Sequence, residues 1–309
     1  MWKTILFMLT ILLMKHTMLL AGTLEIERLQ RTRECVQCDL RGANLSQLDL
    51  SQVNLERANL SNAVLTMSSL RQANLKEANF NNADLRAVDF TGAIGVSAHF
   101  QGADLRRAVF NEANFQQADL STADLSEANL GNADFTRAKF KRSQLRSAIL
   151  DYAKLGEARF EETSLQNANL SNAYLRAANL VGADLSEADL SNADLVWAVL
   201  INADMRGAYL MNADLRKAVL TAANLRGANL KQANLRDATL TETKLIGADL
   251  QGAFFGKDVD FKDNLFKGAD LQGACFEVMV SGQLKLSCFS EQVPRQQVDT
   301  MKVTVSVKH

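Results

Sequence analysis

Residues 183–190 read Ala183-Asp184-Leu185-Ser186-Glu187-Ala188-Asp189-Leu190, two copies of a five-residue unit that governs the chain. Stepping outward by fives from Leu185 gives 44 positions between Leu40 and Phe255, of which 43 are Leu, Phe or Met and one is Gly95. Two residues before these positions, 36 of 44 are Ala; the exceptions are Cys38, Leu48, Val53, Ser68, Val88, Ser143, Thr163 and Thr243. One residue before, 26 of 44 are Asn or Asp. After Phe255 the phase slips by one, and Phe261, Phe266, Leu271 and Phe276 continue the spacing, for 48 units in all.

A period of five fits neither a helix nor a strand. In a helix the Leu positions would rotate by about 140° per unit, so no apolar stripe would form. In a strand, successive Leu would alternate between opposite faces. The pattern needs a chain that turns once per unit and carries one large and one small apolar residue inward each time. Such a chain coils around a single axis, and each unit buries its apolar face only by stacking on its neighbours. The Asn/Asp position suits turns, where a short polar side chain bonds nearby backbone.

The unit A-(D/N)-L-x-x resembles that of the pentapeptide-repeat family, over about residues 36–276. The resemblance implies an all-β fold, a right-handed quadrilateral β-helix with four units per coil, so 48 units give twelve coils. At a strand spacing of about 4.8 Å per coil the rod would be roughly 55–60 Å long. Residues twenty apart then stack, and the column Leu40, Leu60, Phe80, Phe100, Leu120, Phe140, Phe160, Leu180 brings its Phe residues together in pairs. The unit Ala93-Ile94-Gly95-Val96-Ser97 lacks the large inward residue and reads as a bulge, a loosened corner or a weak repeat tolerated among many.

The remaining three positions of each unit face water. Their charges sum to 0 on the face containing Leu40, 0 on that containing Leu45, −4 with Leu50 and +2 with Leu55. One branch of the family mimics DNA and binds DNA gyrase, which requires a negative rod. This rod is close to neutral, and the net charge of −1 over 309 residues argues against a nucleic-acid partner. Lys139, Lys141 and Arg142 form a basic spot beside Glu161 and Glu162. The departure from polarity is a group of outward apolar residues, Val181, Trp197, Val199, Ile201 and Val219, with a smaller spot at Tyr209 and Met211. Such a group reads either as a partner surface or as ordinary surface apolarity.

Residues 1–22 differ from the rest. Met1-Trp2-Lys3 is followed by an almost wholly apolar run, Thr4–Met14, then Lys15-His16-Thr17 and Met18–Gly22. This resembles a secretory signal peptide, with a membrane anchor as the rival, and no A-x-A site precedes Thr23. The chain thus divides into a leader or anchor at 1–22, an N-terminal cap at 23–38, the repeat solenoid at 39–276 and a C-terminal tail or cap at 277–309. Thr23–Glu34 reads as a short helix or turn over the first coil, since an open β-helix end would template edge pairing. Cys35-Val36-Gln37-Cys38 looks like the entry segment of exported cyanobacterial members of the family. Cys35 falls on the large inward phase and Cys38 on the Ala phase, which leaves a structural disulfide, a redox pair or, with two further ligands, zinc. Cys275 and Cys288 lie at the far end, where a bridge would pin a tail whose alternation at Val303–Val307 suggests a strand.

The three His are His16, His99 and His309, which no spacing brings together, and there is no phosphate loop, H-E-x-x-H or nucleophile elbow. No catalytic, cofactor or metal site is expected. The expectation is a non-catalytic exported rod in a periplasm or thylakoid lumen, acting as a scaffold or interaction surface for an unknown protein partner or a second copy. It touches a membrane only through the leader if that is retained. A topoisomerase-binding DNA mimic and a thiol–disulfide role for Cys35 and Cys38 are the alternatives.

Overall fold

The computed structural model describes residues 25–256, 266–280 and 283–289. The leader at 1–22, Phe261 and the strand expected at Val303–Val307 lie outside the described residues, so the count of twelve coils is not traced unit by unit. From Glu34↔Asn54 through Asn229↔Asp249, isolated parallel bridges join residues twenty apart, one on each face of every coil. Four five-residue units therefore make one coil. The phase slip after Phe255 appears as a spacing of twenty-one, in Asp249↔Asp270 and in Phe255↔Phe276.

The five residues of a unit divide the backbone donors among them. In the unit of Leu50, the Leu50 N–H donates to Ser69 O and the Gln52 N–H to Arg71 O, both in the next coil. The Val53 N–H closes the corner on Leu50 O, and the Asn54 N–H donates back to Arg33 O in the coil before. That leaves the N–H of residue 51, which Asp49 Oδ1 accepts at 2.9 Å. The same side-chain bond recurs at Ser46 to Asn44, Ser61 to Asn59, Ser126 to Asp124 and Ser191 to Asp189. The Asn/Asp preference is thus explained: it satisfies the one amide per unit that no backbone carbonyl reaches. Where His99 stands in that position, Asn81 Oδ1, from the coil before, accepts the Gln101 N–H instead.

Each corner also carries a left-handed residue, the second after the inward position. It is Gly at 42, 92 and 102, but Met67, Tyr152, Ala177 and Trp197 hold the same conformation with φ between 55° and 64°. A non-glycine residue there costs roughly 1–2 kcal/mol. A fully buried Leu or Phe contributes about 1.5–3 kcal/mol, and most units also bury an Ala, so burial outweighs the strain.

The interior is solid. Leu185, Ala188 and Leu190 are fully buried, as are nearly all their counterparts. The four polar residues at Ala positions are each satisfied by a carbonyl: Ser68 donates to Leu65 O, Ser143 and Thr163 to Phe140 O, and Thr243 to Leu220 O. Phe80 stacks on Phe100 at 5.0 Å and Phe140 on Phe160 at 4.7 Å, as the twenty-residue column predicts.

At Gly95 the structure decides between the readings of that unit: it is a tolerated repeat, not a bulge or loosened corner. The coil is regular there, with Ile94 bridging Asn114 and the Gly95 N–H donating to Asn114 O at 2.7 Å. No bulge forms, because Phe115 in the next coil fills the missing volume. A Cβ built on Gly95 would lie 2.1 Å from the Phe115 ring. Phe115 in turn packs against Phe90, Phe100, Phe110 and Phe135.

The ends differ from the coils. At the N-terminal end a helix, α1 (residues 25–32), lies over the first coil with Leu29 fully buried and Ile26 packed on the core. At the other end, β1 (Asn234–Leu235), β2 (Phe254–Phe255) and β3 (Cys275–Val280) pair in parallel. β4 (Gln283–Cys288) turns back antiparallel to β3. Phe276 stacks on Phe255 at 4.7 Å and meets Phe289 edge-on, closing the core.

Gly95→Leu restores the repeat consensus yet should lower the melting temperature, by overpacking worth about 1–3 kcal/mol. Gly95→Leu combined with Phe115→Leu should recover most of that loss in a circular dichroism melt. A single variant that melts at or above the parent would contradict the filling of this site by Phe115.

Candidate interaction surface

The apolar group named from the sequence wraps one corner of the rod. Trp197 sits at the left-handed corner position with φ 64° and is 54% exposed. Val199 and Ile201 follow on the adjoining face, half-buried, with Val219 one coil above and Val181 one coil below. Val199 bridges Val219 directly. Three contributors escape a reading of single units. Val196 also points outward in the repeat but is only 5% exposed, with Arg176 and Arg216 at the equivalent positions of the coils on either side. Tyr174, 51% exposed, bridges Asp194 from the coil below. The Lys217 ammonium lies 4.5 Å from the centre of the Trp197 ring, a cation–π contact that holds the indole against the surface. The signal for Tyr174 and Lys217 is the twenty-residue column, which places them one coil from Asp194 and Trp197. Tyr209 and Met211, 48% and 41% exposed, form the separate spot expected.

Much of the charged surface is internally paired. The basic spot does not stand free: Arg142 binds Glu162 at 2.8 Å, and Lys139 lies 3.4 Å from Asp119. Corner pairs twenty residues apart recur at Arg57–Glu77, Arg107–Glu127 and Arg137–Glu157. Where an Arg follows the inward residue of an Asp unit, it lies beside its own Asp at 2.6 Å, with Leu between at Asp39–Arg41, Asp84–Arg86 and Asp104–Arg106 and Met between at Asp204–Arg206. The bonded guanidinium holds each of these carboxyls below the usual carboxylate range. A shallow surface groove lies where the small Ala87 stands between Met67 and Arg107 in one corner column, flanked by Arg86 and Arg106. Both of those Arg are already engaged by aspartates.

The cysteines lie at the two ends. Cys35 and Cys38 are buried, with Sγ atoms 2.08 Å apart and Cα atoms 5.3 Å apart. Cys275 and Cys288 face each other across the β3–β4 ladder with Sγ atoms 2.03 Å apart. Among the described residues no helix is long and apolar enough to cross a membrane.

Comparisons with known proteins agree with this architecture. Models of pentapeptide repeats match residues 38–76, 54–92, 153–192, 178–216, 193–232 and 218–256, and a model of a pentapeptide repeat region matches 75–155. The chain belongs to the pentapeptide-repeat family, whose members form right-handed quadrilateral β-helices. It is similar to HetL, a pentapeptide repeat protein involved in heterocyst differentiation regulation from the cyanobacterium Nostoc sp. strain PCC 7120. That match has 31% identity, covers 72% of this chain and 94% of HetL, and has a TM-score of 0.41. It is also similar to QnrB1, a plasmid-mediated fluoroquinolone resistance protein, at 19% identity over 61% of this chain and 84% of that one, with a TM-score of 0.34. A pentapeptide repeat protein from the Arabidopsis thaliana thylakoid lumen matches at 28% identity over 36% of this chain and 66% of its own, with a TM-score of 0.16. No curated protein matches the chain.

Because the folded pKa of Asp104 lies below its unfolded value near 3.9, the pair with Arg106 stabilises the fold above that value. The contribution is lost as pH falls through the folded pKa. Arg106→Gln should therefore raise the Asp104 titration midpoint toward the ordinary range, as followed by side-chain carboxyl NMR. An unchanged midpoint would show that Arg106 is not what holds it down.

Proposed function

We propose that the protein is a non-catalytic exported rod whose Trp197 corner docks a protein partner. The observation that carries the reading is Trp197 itself. It is a large indole, half-exposed, at a corner position that strains any residue but glycine. Val181, Val199, Ile201 and Val219 surround it, and an exposed apolar cluster of this kind rimmed by charges fits a protein contact surface. The rim supports the same view, since Asp194–Arg176 and Asp214–Arg216 offer both signs of charge to a partner. A rod packed with Leu, Phe and Ala supports scaffolding more readily than chemistry, which needs a pocket.

Export is inferred from the leader-like residues 1–22 and from the cysteine pairs at both ends, which suit an oxidising compartment. The DNA-mimic alternative needs unpaired negative charge along the rod. The bidentate Asp–Arg pairs and corner Arg–Glu pairs work against it.

Trp197→Glu with Ile201→Glu should leave the circular dichroism spectrum and melt unchanged and abolish self-association or partner capture in crosslinking on intact cells. Retained association would remove this corner from consideration. Fractionation with intact mass of the unreduced native protein should recover it outside the cytosol, without the leader or anchored by it. A full-length, reduced, cytosolic protein would overturn the export reading.

A further inference from the structure

The N-terminal cap brings a third group to Cys35 and Cys38. α1 folds back over the first coil to bury Leu29, and this sets the Glu25 carboxylate against the two sulfurs. Glu25 Oε2 lies 3.1 Å from Cys38 Sγ and 3.7 Å from Cys35 Sγ. A disulfide sulfur has no proton to give, so in the bonded state this oxygen faces two acceptors. Arg28 Nη1 lies 3.8 Å from the same oxygen. Two thiolates and a carboxylate form a donor set suited to a borderline-soft divalent cation. Around tetrahedral Zn²⁺, bonds of about 2.3 Å to sulfur and 2.0 Å to oxygen put S and O about 3.5 Å apart. The two observed separations bracket that value. The Cα atoms of the cysteines, 5.3 Å apart, leave room for the sulfurs to rotate to the roughly 3.8 Å that such a site needs.

We propose that the reduced cap binds Zn²⁺ through Cys35, Cys38 and Glu25, with water in the fourth position, and that this site and the Cys35–Cys38 disulfide exclude one another. Reduction by a phosphine breaks the S–S bond. Water supplies one proton to each sulfur and its oxygen to the phosphine, which leaves as the oxide. Zn²⁺ then displaces both thiol protons to solvent. The two states tie the cap differently. The disulfide closes a loop within the first coil, whereas the metal links that coil to α1 through Glu25.

The test uses the full chain, reduced with a phosphine under anaerobic conditions and titrated with Co²⁺, then Zn²⁺. One Co²⁺ per chain should give a thiolate-to-metal charge-transfer band and the visible bands of a tetrahedral ion, and Zn²⁺ should bleach both. The bands should persist with Cys275→Ser and Cys288→Ser and vanish with Cys38→Ser. Glu25→Ala should weaken binding at least tenfold, the loss that even an outer partner of a metal ligand produces, roughly 10–100-fold. Hydrogen exchange should show the protection of α1 rise when Zn²⁺ is added to the reduced protein and stay unchanged when it is added to the oxidised protein. Circular dichroism checks that each variant keeps the rod. The proposal fails if the reduced chain gives no charge-transfer band, if the band depends on Cys275 and Cys288, if the oxidised chain binds equally, or if Glu25→Ala binds with parental affinity.

Discussion

Backbone hydrogen bonds between adjacent coils, such as Leu185 N–H to Asp204 O at 2.7 Å and Asp204 N–H to Ala183 O at 2.9 Å, hold this rod together. They form only if the chain returns to the same place after twenty residues, and that return is possible only if every fifth residue turns inward with the same bulk. Leu with Ala meets the requirement nearly everywhere. Where bulk is redistributed, as at Gly95 and Phe115, the compensation comes from the residue stacked one coil away. The corners carry the strain of a left-handed residue, and the packed interior holds them in it.

Much of this was legible in the sequence because it depends on residue type at a fixed phase. The inward Leu and Ala, the stacked Phe80–Phe100 and Phe140–Phe160 pairs and the one-residue slip beyond Phe255 all follow from counting. Other features depend on which way a side chain turns. Gly95 reads as a defect until the Phe115 ring is seen in its space. Lys139 and Arg142 read as a basic spot near Glu161 and Glu162, and only the geometry shows Arg142 bonded to Glu162 and Lys139 beside Asp119. Glu25 was hidden for a different reason. It lies outside the repeat, and only the fold-back of α1 brings it to Cys35 and Cys38.

A solid interior moves the question of function to the surface and the ends. Along the rod, many acids and bases pair within a unit or across one coil, and the charges of the four faces nearly cancel. Against that background the Trp197 corner is a local departure, and the charge pairs around it can orient a partner without dominating affinity. The two cysteine pairs sit where the repeat stops, where stacking covers only one side of the coil and an added link has most to contribute.

The twenty-residue return is tested most directly by comparing two deletions in far-ultraviolet circular dichroism melts. Removing residues 165–184 takes out one full coil and leaves every inward position and every column in phase. Removing Glu187 alone shifts each inward residue beyond it by one. The coil deletion should fold and melt cooperatively close to the parent, and the single deletion should lose β-structure or melt far lower. A single deletion that melts like the parent, or a coil deletion that fails to fold, would contradict the account.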